Sequence, residues 1–239
     1  MPVDDHRAIA LLVGPDAKRQ ALQHRAVELI STWATGTSRP LPDEGRARCL
    51  VRDDGAPLSG THFDELCPDL APWDVAIDVW APTVEALPVE WFRDLAGDLG
   101  DLIDPTRSSV MAGPQWRARK PPAPLGLTFC VTRRADLTHD EYVDYWRNKH
   151  AMIPLPMLKT FCQFYVDADR SAELAELAGL PAGTYDGISE PTYRDVEHFR
   201  ELTLDERVRV GARADELNFI DHPRSAATLF RPLWQTPDP

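Results

Sequence analysis

The stretch Leu137–Pro156, LTHDEYVDYWRNKHAMIPLP, concentrates the residue types that could do chemistry. Tyr142, Trp146 and His150 follow one another at intervals of four, so a helix puts all three on one face. Thr138 and Glu141 form the T-x-x-E of a capping box, which fixes where that helix begins. Leu137 and Tyr142 suit the accompanying hydrophobic staple, and Pro154 stops the helix soon after His150. Tyr142 and Trp146 are its bulky anchors, and His150 is carried inward beside them. Imidazole is the side chain that ordinarily titrates near neutrality, which suits general acid–base work. A histidine on an otherwise apolar face equally suits a hydrogen-bonded core position, so the helix alone leaves both roles open.

Carboxylates that could orient His150 stand on the segment Tyr185–Tyr193. Alternation along a strand there sets Asp186, Ile188, Glu190 and Thr192 on one side, and Asp186 or Glu190 is expected to hold the imidazole. Gly187 in mid-strand implies a bulge or a close approach by a ligand or side chain. Tyr142 or Tyr193 could donate to a developing enolate oxygen. Trp146, Gln163, Tyr165, Tyr193 and Phe219 are the candidate substrate contacts.

The elements that must position these residues occur in an order that repeats. The first half reads strand His6–Val13, helix Asp16–Thr35, strands Arg46–Val51 and Trp73–Trp80, helix Val84–Ile103 and strand Ser108–Trp116. The second reads strand Gly126–Thr132, helix Thr138–Ala151, strands Thr160–Asp167 and Tyr185–Tyr193, helix Asp195–Ile220 and strand Ser225–Trp234. Trp73-Asp74 through Asp78 aligns with Tyr185-Asp186 through Glu190, and Trp33 precedes Asp74 by 41 residues where Trp146 precedes Asp186 by 40. Both halves close on a tryptophan, Trp116 and Trp234. An internal repeat accounts for all of this together. Each half is then a ferredoxin-like βαββαβ unit, residues 1–118 and 119–239, joined by the Pro-rich linker Arg117–Pro124. An open apolar sheet face must be covered, and the halves can cover each other, packed sheet-to-sheet as an intramolecular α/β barrel of the α+β class. The counterpart of His150 is Thr37, while Asp74 and Asp78 persist. His24 and His62 do not take the missing place, so one asymmetric pocket is expected, in the second half.

Composition narrows the function classes. The net charge of -12, with no basic cluster, argues against a nucleic-acid partner. No apolar run reaches the length of a membrane span, and the acidic N-terminus does not resemble a secretory signal, so a cytoplasmic location is expected. Cys49, Cys67, Cys130 and Cys162 form no CxxC pair and read as structural thiols. Neither paired His/Cys spacing nor a Gly-rich phosphate loop nor a GxSxG elbow occurs, so metal, nucleotide and α/β-hydrolase chemistry have no local support.

LTHDEYVDYWRNKHA, the aromatic strand with Phe161, Phe164 and Tyr165, YDGISEPTYRDVEHF and ELNFID together resemble the EthD family, a branch of the dimeric α/β-barrel proteins. The pattern falls on Tyr145, Trp146, His150 and Ala151, on Asp186, Gly187 and Glu190, and on Asp215, Phe219, Ile220 and Asp221. The resemblance covers about residues 125–235 and is an echo over 6–118. It implies a cofactor-independent lyase or isomerase (dehydratase, decarboxylase or cyclase) acting on an aromatic or polyketide-like carbonyl compound, with His150 as general acid/base, no cofactor and no metal. The alternatives are a non-catalytic small-molecule binding protein, or an oxygenase of the same fold, cofactor-independent or haem-dependent. A chain that closes its own barrel could act as a monomer or pair again as a homodimer.

Overall fold

The computed structural model describes residues 5–36, 40–42, 44–54, 58, 61, 63, 67, 69–70, 72–119, 124–153 and 160–236. Thr37, His62, Pro154 and residues 120–123 of the Pro-rich linker lie outside them. The described residues form nine strands: β1 (Asp5–Leu12), β2 (Arg46–Arg52), β3 (Asp69–Leu70), β4 (Val75–Ala81), β5 (Ser109–Arg119), β6 (Leu125–Val131), β7 (Thr160–Tyr165), β8 (Gly187–Tyr193) and β9 (Ala226–Gln235). Eight of them form one closed antiparallel barrel in the order β2-β4-β1-β5-β7-β8-β6-β9, with β9 pairing back onto β2. The short β3 adds in parallel to β9. Closure leaves no long free edge, which suits strands as apolar as β1 and β4.

The helices lie outside the barrel. They are α1 (Arg19–Thr35), α2 (Leu95–Leu99), α3 (His139–Asn148), α4 (Ala168–Ala178), α5 (Val196–Leu204) and α6 (Arg213–Glu216). Ala8, Ala10 and Leu12 of β1 join Leu22, Ala26 and Ile30 of α1 in one outer core. Leu127, Phe129 and Tyr165 join Tyr142, Trp146, Phe199 and Phe219 in a second. A third core fills the barrel, where Ile9, Leu11, Leu50, Met111, Cys130, Phe164, Ile188 and Phe230 converge from both halves of the chain.

The interior also holds charge. Arg7 Nε and Nη2 donate to Asp78 (2.6 and 2.8 Å), its Nη1 donates to Gln115 (3.1 Å), and its guanidinium reaches Glu190 at 2.8 Å. Arg48 bridges the same two acids at 2.6 and 2.5 Å. Two strands, β5 and β7, lie between β1 and β8 on one side of the barrel and four on the other, so the Arg7–Glu190 contact crosses its inside. Burial pushes the Glu190 carboxyl up, but Arg48 and then Arg7 outweigh it and hold the carboxyl below its usual range.

Corresponding hydrogen bonds recur in the two halves. Val13 N–H donates to Ser108 Oγ and Thr132 N–H to Ser225 Oγ, both at 3.0 Å. Gly14 N–H donates to Asp74 and Arg133 N–H to Asp186, both at 2.9 Å. Asp104 N–H donates to Val13 O at 2.7 Å and Asp221 N–H to Thr132 O at 2.8 Å. The strand orders β2-β4-β1-β5 and β7-β8-β6-β9 likewise run second, third, first, fourth in each half.

Three stretches depart from the sequence expectation. Val84–Ile103 is not one helix: a 3-10 turn at Val89–Phe92 and the short α2 are separated by Asp94, which adopts φ 55°. Asp195–Ile220 divides into α5, a π-helical turn Arg207–Ala212 and α6. Helix α4, capped by Asp167 and ended by Gly179 at φ 67°, falls where no element was expected.

Candidate functional site

Helix α3 begins as its sequence dictates. Glu141 N–H donates to Thr138 Oγ1 at 3.3 Å, and Thr138 N–H donates back to the Glu141 carboxylate at 2.8 Å, completing the capping box. Tyr142 and Trp146 are fully buried on the barrel. Gly187 permits this: a Cβ there would stand 2.5 Å from the Trp146 ring, 2.7 Å from Phe164 O and 3.0 Å from the Tyr142 hydroxyl. The close approach expected at Gly187 is therefore made by side chains of α3. The regular helix ends at Asn148, and His150 opens the 3-10 turn His150–Met152, with 6% of its surface exposed.

His150 meets carboxylates from α6. Its Nδ1 lies 2.8 Å from Asp215 Oδ2, and Tyr145 Oη donates to the other Asp215 oxygen at 2.8 Å. The Phe219 ring packs 4.9 Å from the imidazole, centre to centre. On the far side His150 Nε2 faces Glu216 Oε1 at 4.0 Å, and Glu216 Oε2 pairs with His222 Nε2 at 3.0 Å. The order is thus Tyr145, Asp215, His150, Glu216, His222, with Asp215 fixing one ring nitrogen of His150 and leaving the other facing a second acid. An imidazole oriented this way by a carboxylate can take and return a proton at its opposite nitrogen.

The acids expected beside His150 are elsewhere. Asp186 accepts from Arg133 N–H and Nε at 2.9 and 3.0 Å and lies 3.7 Å from His139 Nδ1. Its carboxyl is pushed up by burial, yet the His139 and Arg133 contacts outweigh this and keep it low. Glu190 stands inside the barrel with Arg7 and Arg48. Strand alternation placed it on the face of Ile188, and that face turns inward, whereas α3 packs on the outward one. The remaining expected contacts are buried among side chains, with Tyr165 also bordering a cleft. Gln163 is fully buried, donates to Trp146 O at 3.3 Å and accepts from Tyr165 Oη at 2.7 Å. Tyr193 packs edge-on against Phe199 at 5.0 Å, and Phe219 joins His150 to the rings of Tyr145 and Trp146. The Tyr142 hydroxyl is buried with no hydrogen-bond partner among the described residues.

Glu216 and His222 were not singled out from the sequence, and Tyr145 and Asp215 entered only through the family pattern. The signal available was the run ADELNFIDH at residues 214–222, three acids and a histidine around Phe219.

Two clefts border this half. One, about 760 Å³, is lined by Arg134, Asp136, Leu217, Ile220 and His222 among others. The other, about 650 Å³, is lined by Arg133, His139, Tyr165, Tyr185 and Asp186 among others. Inside the barrel the void beside Arg48, Glu190 and Thr192 measures only about 10 Å³. Each large cleft sets an arginine–aspartate pair beside its histidine, Arg134–Asp136 or Arg133–Asp186. Among the described residues no group of three His, Cys, Asp or Glu side chains is placed to hold a metal ion, and no helix is long and apolar enough to cross a membrane.

This capped helix ending on His150, the Asp186-Gly187 strand and the Asp215–Asp221 segment all fall within residues 134–223, which match the EthD domain family. That match spans 90 of the 239 residues. No curated protein matches the chain in sequence. Solved structures share the whole barrel. An anthrone oxidase-like protein superposes with a TM-score of 0.57 at 9% identity, over 97% of this chain and 92% of that one. A candidate monooxygenase from Lactobacillus acidophilus gives 0.56 at 8% identity, over 98% and 96%. A mutant chlorite dismutase from Candidatus Nitrospira defluvii gives 0.52 at 12% identity, over 99% and 92%. At such identities the likeness establishes the dimeric α/β-barrel fold shared with the EthD domain, and the chemistry must be argued from the site.

Proposed function

We propose that this protein is a proton-transfer enzyme of the lyase or isomerase range, acting on a small aromatic or polyketide-like carbonyl compound with His150 as general acid/base. The observation that carries the reading is the 2.8 Å contact between His150 Nδ1 and Asp215. Asp215 supplies the orienting carboxylate, and Tyr145 holds Asp215 in turn. His150 Nε2 removes a proton from the carbon next to a carbonyl, and the enolate so formed is reprotonated elsewhere or expels a leaving group. The matched strand order and the recurring hydrogen bonds at residues 13 and 132, 14 and 133, and 104 and 221 support a duplicated ferredoxin-like chain, residues 1–118 and 119–239, with its working site in the second copy.

An oxygenase reading begins with the same proton abstraction, with the resulting carbanion passing electrons to O₂. The anthrone oxidase-like and monooxygenase structures favour keeping it. Both readings are tested with acetophenone and 1-tetralone in D₂O, following exchange of the α-hydrogens by NMR and oxygen uptake with an electrode. The expected result is exchange above the buffer rate that His150→Ala removes while circular dichroism stays native. Oxygen uptake alongside exchange selects the oxygenase, and a wild-type rate no higher than that of His150→Ala overturns the proposal.

A further inference from the structure

We infer that Glu216 and His222 form a second stage of the same site, a proton relay that connects His150 with the cleft lined by Arg134, Asp136, Leu217, Ile220 and His222. The inference rests on His150 being the acid–base group. With Nδ1 taken by Asp215, the nitrogen left for proton transfer is Nε2, and it faces Glu216 Oε1 at 4.0 Å. That distance is too long for a hydrogen bond and short enough for a small side-chain adjustment to make one. Glu216 presents its second oxygen to His222 at 3.0 Å, so one carboxylate stands between two imidazoles.

The surroundings suit transfer along this line. His150, Glu216 and His222 are exposed by only 6%, 7% and 2%, and in so dry a cluster a charge is best accommodated by sharing a proton among partners. His222 is held flat against Phe129, with the rings 6.4 Å apart and inclined by 18°. Burial, and then the Glu216 carboxylate, push the nearby Cys67 thiol up to about 12, so Cys67 stays neutral and does not compete. Of the five groups in the sequence from Tyr145 to His222, His222 is the one that borders the cleft. One proton moves and no electron does: Glu216 accepts from one imidazole, donates to the other, and the proton leaves through His222 to water in the cleft.

The test uses the full-length protein with ¹⁵N-labelled histidine. Glu216→Gln should move the Nε2 resonances of both His150 and His222 and leave the His150 Nδ1 signal in place. Movement of His222 alone overturns the relay while leaving the His150–Asp215 pair intact. A second variant, His222→Gln, should slow α-hydrogen exchange of acetophenone by about tenfold or more in dilute buffer, and added imidazole should restore the rate. A wild-type rate in His222→Gln, or a loss that imidazole does not repair, also overturns the relay. His150→Ala and Asp215→Asn, run in the same assay, report separately on the site itself.

Discussion

The two halves of the barrel share a frame and differ in what fills it. Counting back from the matched serines Ser108 and Ser225, the positions of Asp215, Glu216 and His222 correspond to Asp98, Leu99 and Pro105. Asp98 is exposed and Leu99 is buried among apolar side chains. Trp33, which corresponds to Trp146, packs against Trp91 and Phe92 at 6.0 and 6.5 Å. At these matched positions the first half buries apolar Leu99, where the second inserts a line of acids and imidazoles. Inside the barrel the asymmetry reverses. Arg7, Arg48 and Asp78 come from the first half and only Glu190 from the second, and counting from Gly14 and Arg133 puts Gly126 where Arg7 would be. Corresponding hydrogen bonds thus hold a scaffold within which each half's side chains differ. One half supplies most of the charge inside the barrel, and the other supplies the line of acids and imidazoles outside it.

Removing one member of the interior cluster should cost most. Asp78→Ala leaves two buried guanidiniums sharing Glu190, and a loss of about 3–5 kcal/mol in urea-melt stability is expected. The same cluster sets an acid limit. The Glu190 carboxyl is lower in the folded than in the unfolded chain, so its contribution is present above the unfolded value and disappears as pH falls through the folded one. Glu190→Gln should flatten that part of the stability profile, measured by urea melts in steps from neutral to acid pH.

Next comes the site. Asp215→Asn should lower ketone exchange by about 10²-fold or more, whereas Asp98→Asn, at the matching position of the first half, should leave it unchanged. Equal effects at both positions would break the comparison.

Gly187 corresponds to Val75, so the first half tolerates a side chain where the second does not. Gly187→Ala, placing a Cβ against Trp146 and Phe164 O, should destabilise by about 1–3 kcal/mol and alter the near-UV circular dichroism of the tryptophans. The smallest expected effect is at the helix start. Thr138→Ala should cost about 1 kcal/mol in the same melts. Helix α1 has no side-chain cap at Lys18, so Lys18→Ala should remove no cap of this kind.

Local chemistry was legible. The capping box, the face of Tyr142, Trp146 and His150, and the order of most strands follow from nearest-neighbour spacing, and each reappears in the structure. Segments whose breaks depend on one residue's backbone were not, as at Asp94 with φ 55° or at the π-helical turn before α6. Helix α4 went unseen although Asp167 and Gly179 mark its ends, because its apolar residues are few and short.

The sequence by itself determined that a histidine would ride at the end of a capped helix and that Glu190 would share a strand face with Ile188. Tertiary structure alone decided what His150 touches. Its carboxylate lies 65 residues away in sequence, and closure of the barrel turned the Glu190 face inward while α3 packed outside. Alternation tells which residues share a face of a strand, but which face meets the helices is settled only when eight strands close on one another.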